Sequence, residues 1–206
     1  TDTLKYYYPE ATYITEESEK IIGNEEIIVI DPIDGTTNFI HGIPLVGIVI
    51  AKIINEEITD GVIYNPILDD FFWASKGKGS WCNNNRLRVS KRQDIIDCII
   101  GTGIPHMDRI YPQYLKEIDA ITKNCSGLRR MGAASIDLAY VAAGKLDAYW
   151  ERNLNIWDVS AGVLLVKEAG GRVSQPNGES WDIHSKDILV SNSNIHEIIQ
   201  EKLEII

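Results

Sequence analysis

The sequence predicts a mixed α+β, α/β protein in which an antiparallel-sheet half precedes an α/β half, and three observations carry that reading. Strand-like runs rich in β-branched and aromatic residues crowd positions 1–92. From about Gln93 onward, runs of strand length alternate with segments of helical spacing. Two of those segments, "AASIDLAYVAAG" and "DVSAGVLLVKEA", are apolar nearly all round, which places them inside. The expected lobes are 1–92 and 93–206, joined tightly because neither an internal repeat nor a low-complexity linker separates them.

In chain order, "ATYIT" (11–15) and "EEIIVID" (25–31) are the first strands. The continuous aliphatic run of the second suits a central position, and Pro32 is expected to end its ladder, since proline has no N–H and holds Asp31 extended. "LVGIVIAKII" (45–54) and "ITDGVIYNP" (58–66) follow, with Asn55 and Glu56 supplying a short reversal between them. "DDFFWASKGKGSWCNNNRLRVS" (69–90) is further strand broken by Gly and Asn turns. Beyond Gln93 the expected strands are "IIDCIIGTG" (95–103), "GLRRMG" (127–132), "LDAYWE" (146–151) and "DILVSN" (187–192). Helices are expected over 111–124, 133–143 and 158–169, with an amphipathic helix from about Asn194. Gly170 and Gly171 stop the helix before them. The small residues of "AASIDLAYVAAG" permit close backbone approach.

A chain of 206 residues, 44% apolar and 24% charged, can bury a substantial core. No apolar run reaches the roughly 18–20 residues that cross a bilayer, and "TDTLKYYYPE" lacks the layout of a secretory signal, so a cytoplasmic protein is expected. The chain begins at Thr1 and enters a Tyr-Tyr-Tyr-Pro turn, which suggests that the start of a longer protein is missing. A net charge of −10 argues against nucleic-acid and anionic-membrane partners and suits a protein that gathers cations. Cys82, Cys98 and Cys125 form no C-x-x-C pair and are expected to be reduced structural thiols.

The chemistry concentrates in "IIVIDPIDGTTNF" (27–39), where an aliphatic run ends in two aspartates three apart around a proline. Two carboxylates a few ångströms apart repel by roughly 4 kcal/mol at an effective dielectric near 20, so converging acids need protons or cations. Oxygen ligands alone favour Mg²⁺ or Mn²⁺ over zinc. Gly35 admits backbone conformations closed to other residues, and Thr36 and Thr37 are good helix-entry residues whose N–H groups can meet an anion. The competing reading is a Pro-Gly turn with Asx hydrogen bonds.

"DPIDGTTNF" followed by "IHGIP", with "WDVSAGVLLVKEAGG" at 157–171, resembles the two signature motifs of the inositol monophosphatase family of Mg²⁺-dependent, lithium-sensitive phosphatases. The resemblance takes in "TEES" (15–18), "GKGSWCNNNRL" (77–87), "GAASIDLAYVAAGKLDAYWE" (132–151) and "ILVSN", and so spans the whole chain. It implies a layered αβαβα sandwich of the sugar-phosphatase type, here lacking the family's N-terminal helices, with the site between two lobes, and a homodimer. It further implies that Glu16, Asp31 and the Ile33 carbonyl hold one metal ion, that Asp31, Asp34 and Asp158 hold a second, and that a weaker third rests on Glu16 and waters. Gly35 and Thr36 would offer N–H groups to phosphate, Thr36 and Glu16 would position the attacking water, and Ala134 and Glu151, with Asp158, would meet the substrate. The implied reaction is hydrolysis of a small phosphorylated polyol or sugar, inositol 1-phosphate first, by direct in-line displacement. Fructose-1,6-bisphosphatase, another small sugar or nucleotide phosphatase, and a transcription-associated binding protein with secondary phosphatase activity are the alternatives. At Ala133 many members of the family carry Ser or Thr, so a helix cap is expected to be lost there.

Each site residue also has a plainer reading. Glu16 lies in the acidic run "EESE", Asp158 is a candidate helix N-cap, and Glu151 ends a strand as surface charge. "KGKGS" (76–80) lacks the spacing of a phosphate loop and is expected to be a hairpin turn. His41, His106, His184 and His196 show no paired metal spacing, and the tryptophans are core or interface.

Overall fold

The computed structural model describes residues 2–16, 25–104 and 112–204. His106 and Tyr111 lie outside the described residues. After a short helix α1 (Asp2–Tyr7), the first part of the chain builds a sheet from β1 (Thr12–Thr15), β2 (Glu26–Asp34), β3 (Gly47–Ile54), β4 (Glu57–Asn65), β5 (Asp70–Ser75), β6 (Gly79–Cys82) and β7 (Asn85–Arg86). A five-residue helix α2 (Thr36–Ile40) follows β2. The strands lie in sequence order, antiparallel throughout except that β1 runs parallel to β2. That exception was not expected, and neither was the helix at the tyrosine-rich start.

The second sheet has the order β11-β12-β10-β8-β9, from β8 (Ile99–Thr102), β9 (Gly127–Arg129), β10 (Ala148–Glu151), β11 (Arg172–Ser174) and β12 (Ile188–Ser191). β8 is parallel to β9 and β10, and β12 is antiparallel to β10 and β11. The sheets divide between Arg86 and Ile99, in the segment that contains Gln93. Helices α3 (Pro112–Thr122), α4 (Ala134–Ala142), α5 (Ile156–Glu168) and α6 (His196–Glu204) complete the chain.

Side-chain alternation decides how these layers stack. Val49, Ala51 and Ile53 point one way from β3 and are buried with Ile136, Leu138, Val163 and Leu165 of α4 and α5, which also bury Tyr149, Ile188 and Val190 of the second sheet. The helix pair is therefore the middle layer. Residues of the opposite parity, Ala148, Trp150 and Leu189, pack with Ile121 of α3 and Ile199 and Leu203 of α6 in a separate core. Sheet, helix pair, sheet and helix pair follow one another, and the turn after α1 lies against the outer face of the first sheet, where Lys52 Nζ stands 4.7 Å from the Tyr8 ring. That face also carries the stacked rings of Trp73 and Trp81, 5.8 Å apart.

Small residues let the middle layer close. A Cβ at Gly162 of α5 would stand 2.5 Å from Leu138 Cβ, and one at Gly61 of β4 would stand 2.9 Å from the Ala161 backbone. At the far end of α5, Gly170 takes a φ of 88° while its N–H bonds to Lys167 O and that of Gly171 bonds to Val166 O, a complete Schellman stop. Glu168 then reaches into the "KGKGS" hairpin turn, accepting from the N–H groups of Gly77 (2.7 Å) and Gly79 (2.8 Å).

Two expectations about boundaries are corrected. Pro32 does not end β2: pairing resumes at Asp34, with an irregularity over the residues between. Asp158 is not the N-cap of α5: Asn155 is, and Asp158 sits in the first turn with Oδ2 accepting the Asn155 N–H at 2.7 Å. Cys82, Cys98 and Cys125 are free thiols. No helix among the described residues is long and apolar enough to cross a membrane.

Candidate metal and phosphate site

Residues 31 and 34 of an ideal strand would face opposite sides of the sheet, because side chains alternate. In β2 they do not. Asp31 pairs with Val49 and Asp34 with Gly47, so three steps on β2 match two on β3, and this one-residue bulge brings both aspartates to the same side. The Ile33 N–H donates to Asp31 Oδ1 at 2.9 Å, so the Asx turn anticipated as the plain reading is present and is what shapes the bulge. Glu16 arrives by another route. The parallel pairing matches Thr15 with Ile30, which sets Glu16 level with Asp31.

The carboxyl end of β2, the starts of α2, α4 and α5, and the end of β10 surround a cavity of about 420 Å³. Glu16, Asp31, Ile33, Asp34, Gly35, Thr36, Ala134, Glu151 and Asp158 all line it, so every site residue expected from the sequence is brought together. Gly35 is the αL residue before α2, with φ 83°, and a Cβ there would stand 2.9 Å from Leu45 O and 3.0 Å from Ala133 Cβ. No other residue fits both constraints. The Thr36 hydroxyl donates to Ile33 O at 3.0 Å. His41 ends α2 on the exposed side and does not line the cavity.

Sequence reasoning missed several contributors. Ser135 gives Asp34 Oδ2 both its N–H (2.7 Å) and its hydroxyl (2.5 Å), so a carboxylate about a hundred residues away caps α4. The cap expected to be lost at Ala133 is thus supplied from β2; Ala133 itself makes no side-chain cap bond. Asn38, buried, ties α2 to the neighbouring loops through Leu45 O and Met131 O, both at 2.8 Å. Asp137 and Arg130 also line the cavity. None of these has a local signature, since each depends on which loops the fold brings together.

The electrostatics are those of acids in excess. Six carboxyl groups line the cavity, Glu16, Asp31, Asp34, Asp137, Glu151 and Asp158, against the guanidinium groups of Arg130 and Arg152. Arg152 is committed to Glu117 (2.7 Å) and Asp187 (2.8 Å). Burial first, then the neighbouring Asp34, pushes Asp31 up to about 8. Burial raises Asp34 to about 6 against the opposing hydrogen bonds from Ser135, and raises Asp158 to about 6 with Asp34 and Glu16 adding to it. Glu151 is pushed to about 7, again mainly by burial.

Such a set fits a hard divalent cation: all donors are oxygens, and positive charge would relieve both burial and mutual repulsion. Among the described residues no three His, Cys, Asp or Glu side chains are gathered closely enough to coordinate one point by themselves.

Comparison with known proteins agrees with this geometry. The sequence profile of the inositol monophosphatase family matches residues 1–206. An inositol-1-monophosphatase of Caulobacter vibrioides is 44% identical over 197 residues, covering 93% of this chain and 77% of that protein. A protein of Pasteurella multocida named Nus factor SuhB is 37% identical over 206 residues, covering 98% of this chain and 77% of its own. Among solved structures, an inositol monophosphatase from Anabaena superposes with a TM-score of 0.96 at 35% identity, covering all of this chain and 82% of that one. The extragenic suppressor protein suhB of Bartonella henselae gives 0.93 at 43% identity, covering 98% and 80%. In sequence and in fold, the chain belongs to the inositol monophosphatase family of phosphoric monoester hydrolases.

Proposed function

We propose that this chain hydrolyses inositol 1-phosphate to inositol and phosphate by direct in-line attack of water. The observation that carries the reading is the β2 bulge, which sets Asp31 and Asp34 on one side, beside Glu16 and Asp158 and among the starts of three helices. Glu16, Asp31 and the Ile33 carbonyl, and Asp31, Asp34 and Asp158, would hold two Mg²⁺ ions, or Mn²⁺, with a third weaker ion near Glu16. Bound there, such ions supply the positive charge that lowers the proton affinity of water and offsets the charge of the phosphoryl and leaving oxygens.

The chain's own groups do the rest. Because the Thr36 hydroxyl spends its proton on Ile33 O, its lone pairs can only accept, which orients a water held between Thr36 and Glu16. The N–H groups of Gly35 and Thr36 face the phosphate, and the positive ends of α4 and α5 favour its charge. Ala134 and Glu151 contact the polyol, with Asp158 close to the departing oxygen.

Phosphate release from inositol 1-phosphate, titrated with Mg²⁺ and then with Li⁺, tests the reading. Saturable Mg²⁺ dependence and lithium inhibition are expected; a marked preference for fructose 1,6-bisphosphate or 3′-phosphoadenosine phosphate would replace the substrate. Inversion at a chiral phosphate is expected, and retention or a trapped phosphoenzyme would refute direct displacement. A cytoplasmic homodimer belongs to the same reading, checked by light scattering. The relatives named Nus factor SuhB favour a second reading, binding to transcription machinery. It gains if cells carrying a hydrolysis-dead Asp34→Asn protein grow normally.

A further inference from the structure

One part of the cavity wall has no role in the reaction described so far. Asp137, in the first turns of α4, is 1% exposed, lines the cavity, and has an Oδ1 without a hydrogen-bond partner among the described residues. Buried polar atoms are rarely left so, because the water they gave up is not replaced. Its surroundings are built to admit it. Gly101 lies on β8 and Gly103 just past its end; a Cβ at Gly101 would stand 2.8 Å from Asp137 Oδ1, and one at Gly103 would overlap the Glu151 carboxylate. Two missing side chains make room for two carboxyl groups.

Glu151 beside it is held by its own strand: the hydroxyl of Tyr149, two residues earlier on β10, donates to Glu151 Oε2. Burial first, then the proximity of Glu151, keeps the Asp137 carboxyl well above the usual range, against the opposing pull of Arg130.

We infer that Asp137 and Glu151 together read two adjacent hydroxyl groups of the substrate, so that Asp137 is a specificity-determining residue for a vicinal diol. The inference rests on the phosphatase reading above and extends it to the alcohol end of the site. A hydroxyl entering from the cavity satisfies the unpaired carboxyl oxygen, and the soft terminal torsion of aspartate lets either oxygen turn toward it. A substrate without that hydroxyl leaves the oxygen buried and unpaired, which is how such sites reject analogues.

The test compares kcat/KM for inositol 1-phosphate and for phenyl phosphate, which has no hydroxyl, in the wild type, Asp137→Ala and Asp137→Asn. Asp137→Ala should lower the inositol-to-phenyl ratio by about tenfold or more, chiefly through KM, and Asp137→Asn, which keeps an acceptor oxygen, should recover most of it. Thermal unfolding of the free protein should be unchanged or raised in both variants, and free inositol should raise the midpoint of the wild type more than that of Asp137→Ala. An unchanged ratio, or a lowered midpoint with equal loss on both substrates, overturns the inference in favour of a structural carboxyl. If the wild type hydrolyses neither ester, the phosphatase reading fails, and the inositol titration decides the inference alone: no stabilisation of the wild type overturns it.

Discussion

At Asp34 one carboxylate serves both the cavity and the start of α4, so two substitutions should separate the roles. Asp34→Asn keeps an acceptor for Ser135 and should reduce phosphate release to roughly 1% or less while leaving the unfolding midpoint within a few degrees. Asp34→Ala should lose activity equally and a further ~1–2 kcal/mol of stability, read by urea unfolding, because α4 then starts uncapped. His196 is a second residue whose environment makes a prediction. Its ring joins Ser174 Oγ (2.9 Å) and Ser191 Oγ (2.7 Å), and burial, then Arg172, depresses it to about 4, with Glu197 opposing. The folded state favours the neutral ring, so between the ordinary value of 6.5 and about 4 the unfolded chain binds more protons. This contribution is complete above pH 6.5 and fades as pH falls toward 4, by up to roughly 3 kcal/mol. A urea series from pH 7 to pH 4.5 should show it, and His196→Asn should flatten the slope.

Among elements, the middle helix pair is the most exacting. Gly61→Ala would press a methyl 2.9 Å from the Ala161 backbone, and Gly162→Ala would set one 2.5 Å from Leu138 Cβ, which no side-chain rotation can move. Both should destabilise, by about 1–3 kcal/mol, with Gly162→Ala the worse in denaturant midpoint. Glu168→Ala should cost about 1–2 kcal/mol by releasing the "KGKGS" turn from the end of α5. Elements with long, clear periodicity were legible in the sequence: β2 to β5, α4 and α5 fall where alternation and apolar spacing put them. β11, three residues long, was not, because so short a strand carries no alternation and exists through its pairing with β12. The start of α5 was misplaced by two residues because Asn155 and Asp158 are both good capping residues, and only the hydrogen bond between them decides.

Across the whole molecule, the acids of the site were legible because "DPIDGTTNF" concentrates them, while their company was not. Glu16 comes by a parallel pairing, Ser135 and Asp137 by α4, and Arg130 by the segment after β9, none of which spacing reveals. The fold also braces the cavity from behind. Glu117 of α3, fully buried, holds Arg152 and the Trp150 Nε1 (3.1 Å), so the end of β10 is pinned to the outer helix layer. Glu117→Ala would leave Arg152 without its buried partner and should cost about 3–5 kcal/mol by urea unfolding. Mg²⁺ should raise the unfolding midpoint of the wild type at neutral pH and EDTA should reverse it; Asp31→Asn should abolish most of the shift.

The bulge in β2 has a final consequence, for what sequence change can reach. Between Asp31 and Asp34 the chain must spend one more residue than its neighbour does, and the identity of Pro32 and Ile33 matters less than their number. Deleting either would leave the aspartates two apart and still on one face, but would take away the extra residue that lets the Ile33 N–H reach Asp31 Oδ1 and the Ile33 carbonyl meet the Thr36 hydroxyl, so this step should tolerate substitution far better than any change of length.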